Sequence, residues 1–154
     1  MNDLDDIDKA ILNLLQDDAT LPLKSIADQV HTSVATVQRR IAQMSTQGVI
    51  DRQVAIISPT KVGYDLTVLI MVKIAHANLA MQQRFERLIA KQKQVVSCYE
   101  ISGDYDFVLL VHSKNMQEYH RFVRDVLTGD NNVAHFNSQF VMNVVKSSHK
   151  IELE

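Results

Sequence analysis

Two short stretches of the 154-residue chain hold residue types able to do chemistry at useful spacing. The first is Val34 to Met44, where Thr36, Gln38, Arg39, Arg40 and Gln43 lie away from an apolar row of Val37 and Ile41. Guanidinium and amide groups bond phosphates and the edges of purines, so a helix bearing them on its outer side suits the major groove of duplex DNA. The second is Ile101-Ser102-Gly103-Asp104-Tyr105-Asp106-Phe107. Gly103 lets the backbone come close to a ligand, its neighbouring N–H groups can hold a carboxylate, and Asp104 or Asp106 can pair with an ammonium. A free amino acid carries both groups. Each stretch also has a plainer reading, as a solvated helix face and as a hairpin turn made of residues that tolerate positive φ.

Other chemistries find less support. The glycines Gly48, Gly63, Gly103 and Gly129 are too far apart for a dinucleotide fingerprint or a phosphate loop. The single cysteine, Cys98, forms no internal disulfide, and the six histidines contain no HExxH pattern, so no metal and no other cofactor is expected. Cys98 reads as a small core residue, His76, His112 and His135 as structural histidines near strand ends, and Met44, Met71, Met81 and Met142 as core filler. No nucleophile, base and orienting group share one motif, so the chain is not read as an enzyme. Two alternatives stay open: a small ferredoxin-like enzyme using Asp104 and Asp106 as acid and base, and a metabolite-sensing oligomeric module that acts through a protein partner.

These residues must be positioned by a chain of ordinary globular composition, 46% hydrophobic and 22% charged. The acidic opening, Met1 to Asp6, is unlike an export signal, and the longest apolar run, Leu66 to Val72, is far shorter than the roughly 18 residues that span a bilayer. A cytoplasmic protein with no membrane partner is expected. From Leu4 to Leu15 the apolar residues step by three and four, which predicts a helix with Asp3, Asp5 and Asp6 at its positive end. A second helix is predicted from about Pro22 to Val30, and a third from Val34, capped by Ser33, to near Gly48. Together they make a helix-turn-helix, with small Ala27 where its two helices approach. Residues 1–53 carry five lysines and arginines against eight aspartates, yet residues 19–53 alone are net +2. The acid is thus concentrated on the first helix, and DNA affinity should be modest per subunit and salt-dependent.

Beyond Gly48 the pattern becomes β-like. Val49 to Ile57 predicts a strand or extended linker, Thr67 to His76 a strand, Ala80 to Lys91 a helix, and Val95 to Ser102 with Phe107 to His112 a hairpin. Asn115 to Leu127 predicts a helix and Phe136 to Val145 a last strand. The order βαββαβ is the ferredoxin-like arrangement. The fold class is therefore α+β: an N-terminal helix-turn-helix (winged-helix-like) domain at 1–53, a linker strand at 54–63 and a ferredoxin-like domain at 64–154.

The segments Leu4-Asp5-Asp6-Ile7-Asp8-Lys9-Ala10-Ile11-Leu12, Gly48-Val49-Ile50 and Ser102-Gly103-Asp104-Tyr105-Asp106-Phe107-Val108-Leu109 resemble the Lrp/AsnC (feast/famine) transcription regulators across nearly the whole chain. The resemblance implies a sequence-specific DNA-binding regulator of promoter regions. Its C-terminal domain would sense an amino acid effector and pair through its sheet into a homodimer, assembling further to a tetramer or octamer in a bacterial or archaeal cytoplasm. Carried over to this sequence, the DNA-reading helix is Val34 to Thr46, with Ser33, Thr36, Gln38, Arg39, Arg40 and Gln43 facing the DNA. The effector turn is Ser102, Gly103, Asp104, Tyr105 and Asp106, with Met116, Ser138, Gln139 and Phe140 facing it from a neighbouring copy.

Overall fold

The computed structural model describes residues 4–76, 78–129 and 131–154. The chain forms two compact units, one of Met1–Ile56 with Val145–Glu154 and the other of Ile57–Val144. The last ten residues, placed in the second domain by the sequence reading, belong to the first compact unit.

In the first unit α1 spans Asp6–Asp17, α2 Leu23–Gln29 and α3 Val34–Thr46. Helix α1 starts with a reciprocal capping box: Asp5 accepts from the Asp8 N–H at 2.8 Å, and Asp8 accepts from the Asp5 N–H. The predicted contribution of Asp3 lies outside the described residues. Pro22 occupies the N-cap position of α2, and the Ser33 hydroxyl caps α3 by accepting from the Thr36 N–H. Helix α3 ends where Gly48 turns to φ 73°, and the Val49 N–H reaches back to the Met44 carbonyl, a C-terminal stop that only glycine adopts without strain. Ile11, Leu12, Ile26, Ala27, Val37 and Met44 form the buried core. Residues 49–57 form neither helix nor a strand paired among the described residues, leaving Val54 and Ile56 exposed, so of the two readings, strand or linker, the strand is absent.

The C-terminal tail lies along α1. Asn13 donates to the Leu153 carbonyl and accepts from its N–H, while Gln16 does the same for Ile151. Lys150 reaches Asp17 at 2.8 Å, and Leu153 packs against the core.

The second unit opens with a 3₁₀ turn, Thr60–Val62, and continues as β1 Leu66–Ile74, α4 Leu79–Ile89, β2 Val95–Glu100, β3 Phe107–Ser113, α5 Met116–Phe122 and β4 Val133–Phe140. The antiparallel sheet has the order β2-β3-β1-β4, which is the ferredoxin-like topology. Alternation puts Val68, Ile70, Val72, Phe107, Leu109 and Val111 on one face. There they pack with Phe85 and Ile89 of α4 and with Tyr119 and Phe122 of α5. Thr67, Leu69, Met71, Val108 and Leu110 lie on the opposite face and stay partly exposed. Of the residues read as core filler only Met44 is buried: Met71 and Met81 are partly exposed, Met142 is 95% exposed, and Cys98 lies exposed on the edge strand β2. The strand pattern that suggested burial for Cys98 does not distinguish an edge from the middle of a sheet. Among the described residues no helix is long and apolar enough to cross a membrane.

Candidate functional site

The outer face of α3 is set by 3.6-residue periodicity. With Val37 and Met44 buried, the residues at steps of three and four on the far side, Ala35, Gln38, Arg39, Ala42 and Thr46, all stand in solvent. Gln43 is also exposed, on the flank of this row. Ser33 and Thr36 mark the start of the helix, and their hydroxyls share a 2.9 Å hydrogen bond, so the Ser33 side chain is occupied by capping.

Arg40 behaves differently from Arg39. One residue is about 100° around a helix, enough to turn Arg40 toward α1. Its guanidinium donates to Asp5 at 2.7 Å and to Asp8 at 2.8 Å, and only 19% of the side chain is exposed. These two carboxylates raise the Arg40 pKa further, while the Asp8 N–H and then Arg40 lower that of Asp5. The same pair of aspartates thus caps α1 and holds α3 in place. Of the six residues expected to face DNA, Arg40 is therefore taken up inside the unit. The signal available in the sequence is spacing: Arg40 lies three residues after Val37 and four before Met44, in phase with the buried row. Conversely, the exposed Ala35 and Ala42 were missed because a small apolar residue on a polar face resembles filler.

The turn between β2 and β3 is closed by the Ile101 N–H donating to the Asp106 carbonyl at 2.9 Å, with Gly103 at φ 118°. Few side chains adopt that backbone without strain, and glycine does so freely. Asp106 anchors the turn to the end of β1: its carboxylate accepts from the Ile74 N–H at 2.8 Å and from the Lys73 ammonium at 3.0 Å. The Ile74 N–H, then Lys73, hold the Asp106 carboxyl below the usual carboxylate range, with a smaller effect from His135. Tyr105 packs edge-on to His135, ring centres 5.6 Å apart. Ser102, Gly103 and Asp104 are left exposed. Of the two turn aspartates, then, one is structural and the other open to a ligand.

Met116, Ser138, Gln139 and Phe140 are not beside this turn within one chain. Phe140 pairs across from Val68, whereas Asp106 meets β1 at Val72, about 13 Å along the strand. Ser138 and Phe140 share the helix-covered face: Tyr119 donates its hydroxyl to Ser138 and meets Phe140 edge-on, centres 5.2 Å apart. Met116, one helical turn before Tyr119, is 44% exposed. Gln139 points to the opposite face, across from Leu69, as strand alternation requires. Its expected grouping with Ser138 and Phe140 is corrected accordingly. The contacts by which Lys73, His135 and Tyr119 support the two clusters depend on cross-strand register, so from the sequence His135 reads only as a structural histidine and Lys73 has no role.

The model of the AsnC-type helix-turn-helix domain matches residues 4–45, and that of the Lrp/AsnC ligand binding domain matches residues 67–151. An HTH-type transcriptional regulator of Haemophilus influenzae is 47% identical over 153 residues, covering 99% of this chain and 91% of that one. The crystal structure of an AsnC family transcriptional regulator from Agrobacterium tumefaciens superposes with a TM-score of 0.90 at 30% identity, covering 96% of both chains. A transcriptional regulator of Neisseria meningitidis in complex with L-Met superposes with a TM-score of 0.91 at 27% identity, covering 97% of this chain and 96% of that one. The chain belongs to the Lrp/AsnC family of transcriptional regulators. It combines a DNA-binding helix-turn-helix with a ligand-binding domain.

Proposed function

We propose that α3 enters the major groove with Gln38, Arg39 and Gln43 on base edges and phosphates, while Ala35 and Ala42 admit the helix closely and touch thymine methyls. Ser33 and Thr36 then lie by the backbone at the start of the helix, and Arg40 holds α3 on α1 without touching DNA. The observation that carries this reading is the row of exposed residues opposite Val37 and Met44, with Arg39 in it and Arg40 outside it. Selection of DNA fragments by the parent chain and by Gln38→Ala tests it. A relaxed preference at one or two base pairs is expected, and an unchanged preference counts against the assignment.

The ligand-binding domain takes a free amino acid. Backbone N–H groups around Gly103 hold its carboxylate and Asp104 its ammonium, while Asp106 keeps the turn in shape. Met116, Ser138 and Phe140 complete the site from a neighbouring copy, because within one chain they do not meet the turn, Phe140 pairing about 13 Å along β1 from the point where Asp106 joins it. The partly exposed apolar residues Leu69, Met71, Val108 and Leu110 pair with the same face of a second copy to make the dimer, from which the larger assembly is built. The Neisseria relative in complex with L-Met supports an amino acid as the ligand. An effector that binds one assembly better than another shifts the population toward it and with it the spacing of the reading helices. The protein acts where its DNA is, in the cytoplasm. Calorimetry with each of the twenty amino acids, L-Met first, tests the reading: heat of binding that disappears in Asp104→Ala supports it, and no heat with any amino acid removes it.

A further inference from the structure

The helix-turn-helix unit is poor in usable positive charge. Residues 1–56 and 145–154 contain seven lysines and arginines against ten carboxylates. Arg40 is held by Asp5 and Asp8, Arg52 by Asp51 and Lys150 by Asp17, and Lys9 stands 4.0 Å from Asp6. On the helix-turn-helix itself this leaves Lys24 and Arg39 without an ion pair among the described residues. Affinity for duplex DNA grows with the number of phosphates neutralised, and two cations per reading unit neutralise few.

The second unit is nearly balanced, with nine lysines and arginines against eight carboxylates in residues 57–144, but its cations are unevenly placed. Gln117, His120, Arg121 and Arg124 line, with Val123, a groove of about 400 Å³ on the outer side of α5. Steps of three, four and seven put them on one stripe, away from Tyr119, Phe122 and Val126, which face the core. No carboxylate lines the groove, since Glu118 on the same helix turns its carboxylate to the Lys114 N–H. Arg121 and Arg124 make no ion pair among the described residues. The helix also widens here into a π turn, Val123–Leu127, in which the Thr128 N–H reaches the Val123 carbonyl at 2.9 Å. Such turns recur at functional sites.

We propose that this stripe of α5 is a second DNA-binding surface, which takes the phosphate backbone of duplex DNA outside the segment read by α3. Two guanidinium forks bind phosphate oxygens, and the Gln117 amide and His120 ring add further N–H donors. Being independent of base sequence, this surface supplies the electrostatic affinity that the acidic reading unit lacks.

The test is binding of the full chain to a mixed-sequence duplex, followed by fluorescence anisotropy over a series of salt concentrations, with sedimentation velocity at the same salts. The variants are Arg121→Ala with Arg124→Ala, the charge-keeping Arg121→Lys with Arg124→Lys, and Arg39→Ala. In the double alanine variant the slope of log affinity on log salt becomes shallower by about 0.9 for each phosphate no longer neutralised, about 1.8 for the pair. Sedimentation is unchanged, and the lysine pair restores most of the slope. An unchanged slope overturns the proposal. A changed subunit count does so too, because the stripe is then an interface between copies. Arg39→Ala reads the α3 assignment separately: a weakening there with none from the α5 pair removes this surface and leaves the reading helix standing.

Discussion

The Arg40 guanidinium donates to Asp8 at 2.8 Å across the α1–α3 packing, between residues 32 apart in the chain, while adjacent Arg39 stays in solvent. Two neighbouring arginines thus divide into one held by carboxylates and one left in solvent. Loss of a hydrogen bond to a charged partner costs about 1.5–3 kcal/mol, and the lower half of that range fits a pair still partly wetted. Arg40→Ala should therefore destabilise the first unit by about 1.5–2 kcal/mol, visible as an earlier thermal transition. Arg39→Ala should leave stability within about 0.5 kcal/mol and weaken DNA binding directly. Equal losses of DNA affinity at unchanged stability would erase the distinction.

The Asp106 carboxylate gives a dependence on pH. Its pKa is lowered in the folded chain by the Ile74 N–H and Lys73, so its stabilisation is complete above the ordinary value of 3.8 and fades as pH falls through the lower folded value. Asp106→Ala should destabilise the second unit by about 1–2 kcal/mol at neutral pH, because the Ile74 N–H loses its acceptor. It should also flatten the acid limb of the stability curve below pH 3.8. Denaturant melts at neutral and acid pH measure both effects; a parallel shift of the whole curve argues against a titrating Asp106.

Gly103 permits a clean backbone test. A Cβ added there meets nothing within 4 Å, yet φ is 118°. Gly103→Ala should therefore cost about 1–3 kcal/mol through strain alone. If the turn holds an amino acid, L-Met binding measured by calorimetry should weaken as well. Wild-type stability in this variant would mean that the turn relaxes into another conformation.

The amides of Asn13 and Gln16 bond the backbone of Leu153 and Ile151 from both sides. Deleting residues 151–154 removes these bonds and the partly buried Leu153 together. At about 1 kcal/mol per net hydrogen bond, the first unit should lose some 2–4 kcal/mol, and hydrogen exchange in α1 should accelerate. Asn13→Ala alone should reproduce part of the loss. If exchange in α1 is unchanged by the deletion, the tail is not held there in solution.

Much of the fold is legible because its determinants are local. Asp5, Pro22 and Ser33 announce three helix starts, Gly48 ends the third, and the change from steps of three and four to strand composition marks the passage to the second unit. The two functional stretches are visible for the same reason, each lying within a few consecutive residues. What escapes a linear reading depends on register or on distant partners. Gln139 differs from Ser138 and Phe140 only by the face it occupies. Met142 and Val145 look like the continuation of β4 but lie beyond its last pairing, at Phe140.

Residue order alone, through caps, periodicity and a glycine-aspartate turn, is enough to define a helix-turn-helix followed by a βαββαβ unit, because each of these signals acts over a single turn of helix or pair of strands. Tertiary structure decides which charges remain available. Arg40, Asp106 and Lys150 are taken up by partners 35, 32 and 133 positions away, while Arg39, Asp104 and Arg121 are left to solvent. A charge is usable only when no carboxylate or N–H reaches it in space, and that is a property of the packed chain.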